Sequence, residues 1–501
     1  MEARRGIRNI TSGLGNQILN MGLALIIPRL VLINLGSEVN GLTHSISSVF
    51  TYLTLLEAGV GKATTQALYK PLANDDKAAI NGIMAATRKF YNRTGYIYLG
   101  ILILFAAVYT LFVPTEIPAW IVFSVIMLTG ASSVISYFVQ GKYRVLMNTE
   151  GKGYILTDIS SVQHLLASLA KIALLVWGFG IVEIQGMYLF FSVLQMIAIV
   201  YYVRKNYKWL DLKVEPDVQA ISQRHYVLLH QVTGMIFNHT DTLLLTIMTN
   251  LKTVSVYSMY NTLYAVVNTA LNTFSFSFSY AMGQIFHTDQ KRFAKIHDVY
   301  ELYNMSLTFS FICVLNLFIL PFMTLYTSGV TDINYIDPYI PMLFTTYYLL
   351  SNGRASSGLV IDFAQHFQQT KWRAILETAI NLTVSVVGIY FLGIYGALLG
   401  TVAALLYRAN DMIIYANRLM KRSPWITYKR WLVNLAVFLG VTYAAKRILP
   451  EMHTLWSVIM WGVIACLIII PVFMIVNSAL EMKTARYAFE LIKTARRKTA
   501  E

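Results

Sequence analysis

Long apolar runs separated by short polar segments repeat along the whole chain. Each run is long enough to cross a bilayer, which takes about 20 residues of helix. The fourteen runs cover residues 10–33, 42–67, 95–113, 119–139, 154–179, 186–203, 225–249, 254–280, 299–326, 339–361, 374–392, 396–416, 431–449 and 454–476. The pattern predicts an all-α integral membrane protein with about 14 transmembrane helices.

The composition supports this prediction. Hydrophobic residues make up 56% of the 501 residues and charged residues only 13%, whereas soluble domains have about 25% charged residues. The basic start MEARRGIRN leads into an apolar run too long for a signal peptide, so we expect an uncleaved first helix. Cys313 and Cys466 both lie inside apolar runs, which predicts neither a disulfide framework nor a metal cluster.

The positive charges are unevenly distributed between alternate loops. Of the 40 Lys and Arg residues, 32 lie at the termini or in loops that follow even-numbered runs. Only Lys252, Lys446 and Arg447 lie in the opposite set of loops. Cytoplasmic loops of membrane proteins are enriched in Lys and Arg, so both termini are predicted to be cytoplasmic. The same distribution explains the net charge of +15 without nucleic acid as a partner.

A hydrophilic stretch over 204–224 divides the first twelve runs into six and six. A weak repeat supports the division, because Tyr154-Ile-Leu-Thr-Asp158 opens the fifth run and Ala374-Ile-Leu-Glu377 opens the eleventh. Two six-helix lobes around a central site are a common transporter architecture. The predicted domains are an N-terminal lobe (1–203), a cytoplasmic linker (204–224), a C-terminal lobe (225–416), a second linker (417–430), two additional helices (431–476) and a basic cytoplasmic tail (477–501).

Five basic residues lie inside the predicted spans. Arg29 and Lys62 are close enough to a span end for their side chains to reach the headgroups, so snorkelling competes with a functional role for both. Lys171, Arg354 and Arg408 lie deeper, where charged groups are costly and face a bundle interior or an aqueous cavity.

The surroundings of these deep residues suggest different roles. Asp411 follows Arg408 by three residues on one helical face, which predicts an ion pair. Arg354 has no acidic neighbour one turn away, and the small residues of Ser351–Gly358 favour close packing or local unwinding. We therefore expect Arg354 to have a functional role.

Glu57 and Asp241 are the two deep carboxylates. Either could exchange a proton or another cation during transport, or form a structural ion pair with a basic group of another span. The histidines inside spans show no metal-ligand spacing, and no metal site is predicted. The alternating run Thr273–Ser279 is expected to be helical, because an open strand does not survive in lipid.

No sequence motif supports coupling to ATP. A P-loop requires Ser or Thr after its Gly-Lys pair, and the pairs ending at Lys62, Lys142 and Lys152 lack it. No loop is long enough for a soluble catalytic domain. The sequence therefore predicts a secondary transporter or flippase without catalytic residues or a cofactor.

Several short motifs resemble a known family. They are Arg8-Asn9, Pro28-Arg29, Leu35-Gly36, Gly41-Leu42, Glu57-Ala-Gly-Val-Gly61, Tyr69-Lys-Pro-Leu-Ala-Asn-Asp-Asp76, Asn238-His-Thr-Asp241 and Val256-Tyr-Ser-Met-Tyr260. Together they are similar to bacterial polysaccharide flippases, the Wzx-type exporters of O-antigen, capsule and exopolysaccharide repeat units in the MATE-like MOP superfamily.

The resemblance implies a lipid-linked substrate in the bacterial cytoplasmic membrane. An oligosaccharide on undecaprenyl pyrophosphate would cross the bilayer by alternating access, and a polysaccharide polymerase and chain-length machinery would be partners. Arg29, Lys171, Arg354 and Arg408 would bind the pyrophosphate, Glu57 and Asp241 would couple ion movement, and Lys62 and Asp411 are secondary candidates.

Other functions stay open. Fourteen spans, where many polysaccharide flippases have twelve, make a lipid II flippase the first alternative. A MATE-type drug exporter ranks lower, because sites for organic cations are usually acidic rather than rich in arginine. A membrane scaffold is a further alternative, which the buried charges disfavour.

Overall fold

The computed structural model describes residues 2–221 and 239–500, and within them the side chains of Glu57 and Lys62 are among those left undescribed. The described residues form helices joined by short turns and contain no β-strand. The helices are α1 Glu2–Leu53, α2 Leu55–Ala73, α3 Lys77–Phe112, α4 Ala119–Val139, α5 Gly141–Thr149, α6 Gly153–Val176, α7 Ile181–Asn206, α8 over 239–248, α9 Leu251–Thr288, α10 Gln290–Tyr326, α11 Tyr339–Gly353, α12 Ala355–Phe363, α13 Phe367–Leu392, α14 Ile394–Leu419, α15 Trp425–Ile448, α16 Leu455–Leu480 and α17 Met482–Ala500. A 3₁₀ turn covers Gln219–Ile221.

The predicted fold class is confirmed: the chain is an all-α integral membrane protein. Within the described ranges, nine helices are long and apolar enough to cross a membrane by length and composition. Two other predicted spans are each divided between two helices. The run 42–67 is divided at Thr54 between α1 and α2, and the run 339–361 is divided at Arg354 between α11 and α12.

The helices form two compact units. Unit 1 contains residues 1–258 with 330–333, and unit 2 contains residues 259–329 with 334–501. The lobe and linker boundaries expected from the sequence stay predictions.

In unit 1, helix α1 is interrupted at Gly36, and the carboxylate of Asp332 binds the start of its second part. Gly36 interrupts α1 with φ 85°, a conformation that glycine adopts without steric cost. Asp332 accepts hydrogen bonds from the Ser37 backbone N–H at 2.9 Å and from the Ser37 hydroxyl at 2.7 Å. Asp332 therefore caps the helical segment that restarts at Ser37. Where the sequence predicted a loop of several residues, the structure has a single break.

In unit 2, α13 and α14 form a hairpin with unusually close backbones. A Cβ atom added at Gly396 would lie 1.9 Å from the carbonyl carbon of Gly388, and one at Gly400 would lie 2.1 Å from the Ser385 hydroxyl oxygen. Such small residues let helices approach closely in membranes. This hairpin fixes the relative positions of the charged side chains on its two helices.

Candidate functional site

Five charged side chains of unit 2 form one connected network, which we call the arginine cluster. Its members are Arg354, Arg373, Glu377, Arg408 and Asp411. Arg354 lies at the junction between α11 and α12, Arg373 and Glu377 lie on α13, and Arg408 and Asp411 lie on α14. The cluster therefore links α13, α14 and the junction between α11 and α12.

The network alternates cations and anions. Arg354 donates to one oxygen of Glu377 at 2.5 Å, and the Nε atom of Arg408 lies 3.3 Å from the other oxygen. Arg408 also donates to Asp411 at 2.7 Å, and Arg373 donates to the second oxygen of Asp411. Each carboxylate thus bridges two arginines. Three arginines and two carboxylates leave a formal excess of one positive charge.

The core of the cluster is shielded from solvent. Arg408 is 9% exposed and Glu377 is 10% exposed, whereas Arg373 at the edge is 38% exposed. Removing ions from water is costly unless they are paired with good geometry. The pairing explains how unit 2 holds these charges, and the excess positive charge favours an additional anion.

Arg354 lies at the junction of α11 and α12 and keeps a helical backbone, with φ −83° and ψ −10°. Its N–H donates to the Leu350 carbonyl at 3.3 Å, and the Gly358 N–H donates to the Arg354 carbonyl at 3.0 Å, so the segment is not unwound. Ser356 and Ser357 after it are buried, and a Cβ atom at Gly353 would lie 2.1 Å from the Trp431 ring. The small residues therefore allow dense packing around Arg354, which is the first of the two alternatives expected from the sequence.

The structure brings together two of the four predicted substrate-binding residues, Arg354 and Arg408. It also confirms the predicted ion pair between Arg408 and Asp411. Sequence analysis missed the roles of Glu377 and Arg373. Their spacing of four residues places both on one face of α13, a signal that could have identified them.

The other predicted residues lie in unit 1. Arg29 is half-buried on α1, and Lys171 is half-buried on α6 close to His44. Asp241 on α8 is buried and accepts a hydrogen bond from the Tyr257 hydroxyl at 3.2 Å. The side chains of Glu57 and Lys62 lie outside the described residues. The roles of all five stay predictions.

A second ionic network in unit 2 was also missed, and we call it the tail cluster. Its members are Asp298 and Glu301 on α10, Arg422, Arg430 on α15, and Glu481 before α17. Arg430 donates to both oxygens of Glu481 at 2.9 and 2.7 Å, and to Asp298 at 3.2 Å and Glu301. These five residues connect helices that are far apart in sequence.

His297 joins Asp298 and Glu301 in a group whose ligand atoms could converge on a metal ion. The arginines already pair with both carboxylates, and the His297 Nε2 atom lies 3.1 Å from the Ser356 carbonyl oxygen. The contacts therefore favour a structural network over a metal site.

Comparisons with known proteins give a structural answer only. No protein-family model matches the sequence, and no curated protein matches it.

Among solved structures, the lipid II flippase MurJ in an inward closed conformation is similar with a TM-score of 0.70 and 14% identity, covering 95% of this chain and 99% of that one. An inward-facing multidrug resistance MATE family transporter of the MOP superfamily has a TM-score of 0.66 and 15% identity, with 81% and 94% covered. The chain has the fold of these transporters. An outward-facing MATE structure is similar at a TM-score of 0.54 and 13% identity, over 81% of this chain and 95% of that one. The expected MATE-like fold is confirmed, while the assignment to polysaccharide flippases stays a prediction.

Proposed function

We propose that the protein is a flippase for undecaprenyl-pyrophosphate-linked oligosaccharide repeat units in the bacterial cytoplasmic membrane, with both termini in the cytoplasm. The observation that carries this proposal is the arginine cluster with its excess positive charge, inside a transporter fold. The motifs of the first 76 residues, which resemble polysaccharide flippases, favour the repeat unit as the substrate.

The cluster has suitable chemistry for a pyrophosphate. A guanidinium group presents several N–H donors in a fixed plane and binds phosphate oxygens in pairs. Arg354 and Arg408 face the two oxygens of the same carboxylate, so their donors converge on one small anionic group. A phosphate oxygen could take the position of a Glu377 oxygen. Arg29 and Lys171 of unit 1 are additional candidates for the same ligand.

Glu377 gives this proposal a specific mechanism. Glu377 neutralises Arg354 and Arg408 and so lowers the cost of burying them. Substrate binding would replace one anion by another at the arginines, and release would restore the Glu377 pairs. The exchange lets the site bind a highly charged group without holding it irreversibly.

Export would draw on the membrane potential. Moving one negative charge outward across an inside-negative membrane is favoured by about 2.3 kcal/mol per 100 mV. Asp241, which is buried beside the Tyr257 hydroxyl, is a candidate for additional coupling to a cation. Glu57 is the second candidate, and the variant Glu57→Gln would lose dependence on a pH gradient if this carboxylate couples transport.

A second function, lipid II export, is supported by one specific observation. The similarity to MurJ extends over 95% of this chain, whereas the MATE similarity covers 81%. The same arginines would then bind the pyrophosphate of a peptidoglycan precursor. Drug export ranks third, because a positively charged site disfavours organic cations.

Deletion of the gene in its host distinguishes these functions. We expect loss of surface polysaccharide together with accumulation of sugar-loaded undecaprenyl carrier in the inner leaflet. Normal polysaccharide with failing peptidoglycan synthesis would indicate lipid II export instead. Accumulation of cationic dyes with both polymers unchanged would indicate a drug exporter and would overturn the proposal.

Complementation of the deletion then tests the site. We expect Arg354→Ala to abolish export at normal protein level, because it removes one of the two guanidinium groups that face Glu377. The control variant Arg447→Ala, with an exposed arginine on α15, should export normally. Normal export by a well-expressed Arg354→Ala protein would exclude this residue from substrate binding.

A further inference from the structure

A polar cavity lies between the start of α10 and α17. Its volume is about 330 Å³, and it is lined by Lys295, Asp298, Lys483, Thr484, Arg486, Tyr487 and Glu490. All of these residues belong to unit 2. The cavity is separate from the arginine cluster, and the proposed function assigns it no role.

The lining has an excess of positive charge. Lys295, Lys483 and Arg486 are exposed bases, and the Lys295 ammonium lies 5.7 Å from the centre of the Tyr487 ring. Asp298 also pairs with Arg422 and with Arg430. Three bases thus line the cavity together with two carboxylates, Asp298 and Glu490, which leaves a formal excess of one positive charge for a ligand to balance.

The position of the cavity relates it to the membrane surface. Lys483 follows the end of the spanning helix α16 at Leu480 by three residues. Lys295 precedes the apolar part of α10, which begins at Val299, by four residues, or about 6 Å along a helix. The headgroup layers extend a bilayer from about 30 Å of hydrocarbon to about 40–45 Å in total. On this spacing we expect Lys295 and Lys483 to lie at the depth of the lipid phosphates.

The wall formed by α17 is held in place. Glu481, which precedes α17, accepts two hydrogen bonds from Arg430 at 2.9 and 2.7 Å. Ala485 and Ala488 are buried on one face of α17, while Lys483 and Arg486 are exposed on another. A fixed pair of helices with three bases between them is a better binding site than three independent surface lysines.

We propose that this cavity binds the phosphate group of an anionic phospholipid from the surrounding bilayer. Arg486 offers paired N–H donors, and Lys295 and Lys483 contribute compact positive charges from the two opposing helices. Anionic lipid would then attach α17 to the membrane surface next to α16. This inference does not rest on the proposed function, because it requires neither transport nor the arginine cluster.

The test is retention of phosphatidylglycerol by the purified full-length protein, counted by native mass spectrometry during titration against phosphatidylcholine. The variant combines Lys295→Gln, Lys483→Gln and Arg486→Gln. The matched control, Arg204→Gln with Lys205→Gln and Lys208→Gln, removes three exposed bases after the apolar part of α7. Because each base near an anionic surface strengthens lipid binding by about 5-fold, we expect the triple cavity variant to bind phosphatidylglycerol about 100-fold more weakly.

Each outcome decides the proposal. Preferential retention of phosphatidylglycerol by the wild type and the control, but not by the cavity variant, supports it. Equal retention by all three proteins, or equal retention of both lipids, overturns it. Displacement of the lipid by free glycerol phosphate at comparable concentration would show a site for small phosphates and would also overturn the assignment to lipid. Thermal unfolding of the variant checks that its fold is intact.

Discussion

Arg430 is the residue whose replacement has the most direct consequence for stability. Its guanidinium group is 2% exposed and donates to three carboxylates, those of Glu481, Asp298 and Glu301. The substitution Arg430→Met keeps most of the apolar stem and removes the charge. Asp298 and Glu301 would then share the single arginine Arg422, and Glu481 would lose its pair with Arg430. Glu301 is 0% exposed.

The size of the effect follows from this arrangement. Breaking a buried ion pair by removing one partner costs about 3–5 kcal/mol, because the other partner stays buried without compensation. For a unit of this size, that loss lowers the midpoint of thermal unfolding by roughly 6–20 °C. Cys313, buried on α10, provides the assay, since a thiol-reactive dye labels it as unit 2 opens.

The control has the same chemical change on the same helix. Arg447→Met removes an exposed arginine near the other end of α15, where its contact is with Tyr443, and should unfold with the wild type. Arg430→Lys should fall between the two, because lysine keeps the charge but not the paired geometry. If Arg430→Met also unfolds with the wild type, the tail cluster is not a stabilising network and the reasoning fails.

Two further predictions concern packing and pH. Gly396→Ala should lower the free energy of unfolding by about 1–3 kcal/mol, because its Cβ would overlap the Gly388 backbone, while Gly440→Ala, which has open space, should not. Burial, and secondarily the charge of Arg88, lowers the pKa of Lys142 from 10.5 to about 8. Between these two pH values, the Lys142 amine is therefore protonated in the unfolded chain and neutral in the folded protein. The free energy of unfolding should rise with pH across that range in the wild type, and not in Lys142→Met. Gly396→Ala with wild-type stability, or identical pH profiles for Lys142→Met and wild type, would contradict the respective prediction.

Local pattern was sufficient for the helices and for some of the charges. The apolar run 119–139 coincides with α4, because burial in lipid requires a continuous apolar helix. The run Thr273–Ser279 is helical within α9, as expected. Spacing on one helix also predicted the pair between Arg408 and Asp411, which depends only on helix geometry.

Contacts between helices were not predictable in the same way. Glu377 lies 23 residues from Arg354 in sequence and 31 from Arg408, and only the packing of α13 with α14 and of α11 with α14 brings the three together. The polar segments gave a weaker signal than the spans. Both α5 and α17 are helices in regions that carry no apolar run, and α17 forms where a basic tail was expected.

The two clusters of unit 2 differ in the sign of their excess charge, and this difference separates structure from function. The tail cluster has three carboxylates and two arginines, so every arginine is needed to compensate buried acids. The arginine cluster has the opposite balance, and loss of Arg354 would leave two arginines and two carboxylates, with Glu377 still held by Arg408. Arg354→Ala should therefore unfold near the wild-type temperature while losing export, whereas Arg430→Met should lose stability. An Arg354→Ala variant that unfolds as readily as Arg430→Met would show that Arg354 is structural instead.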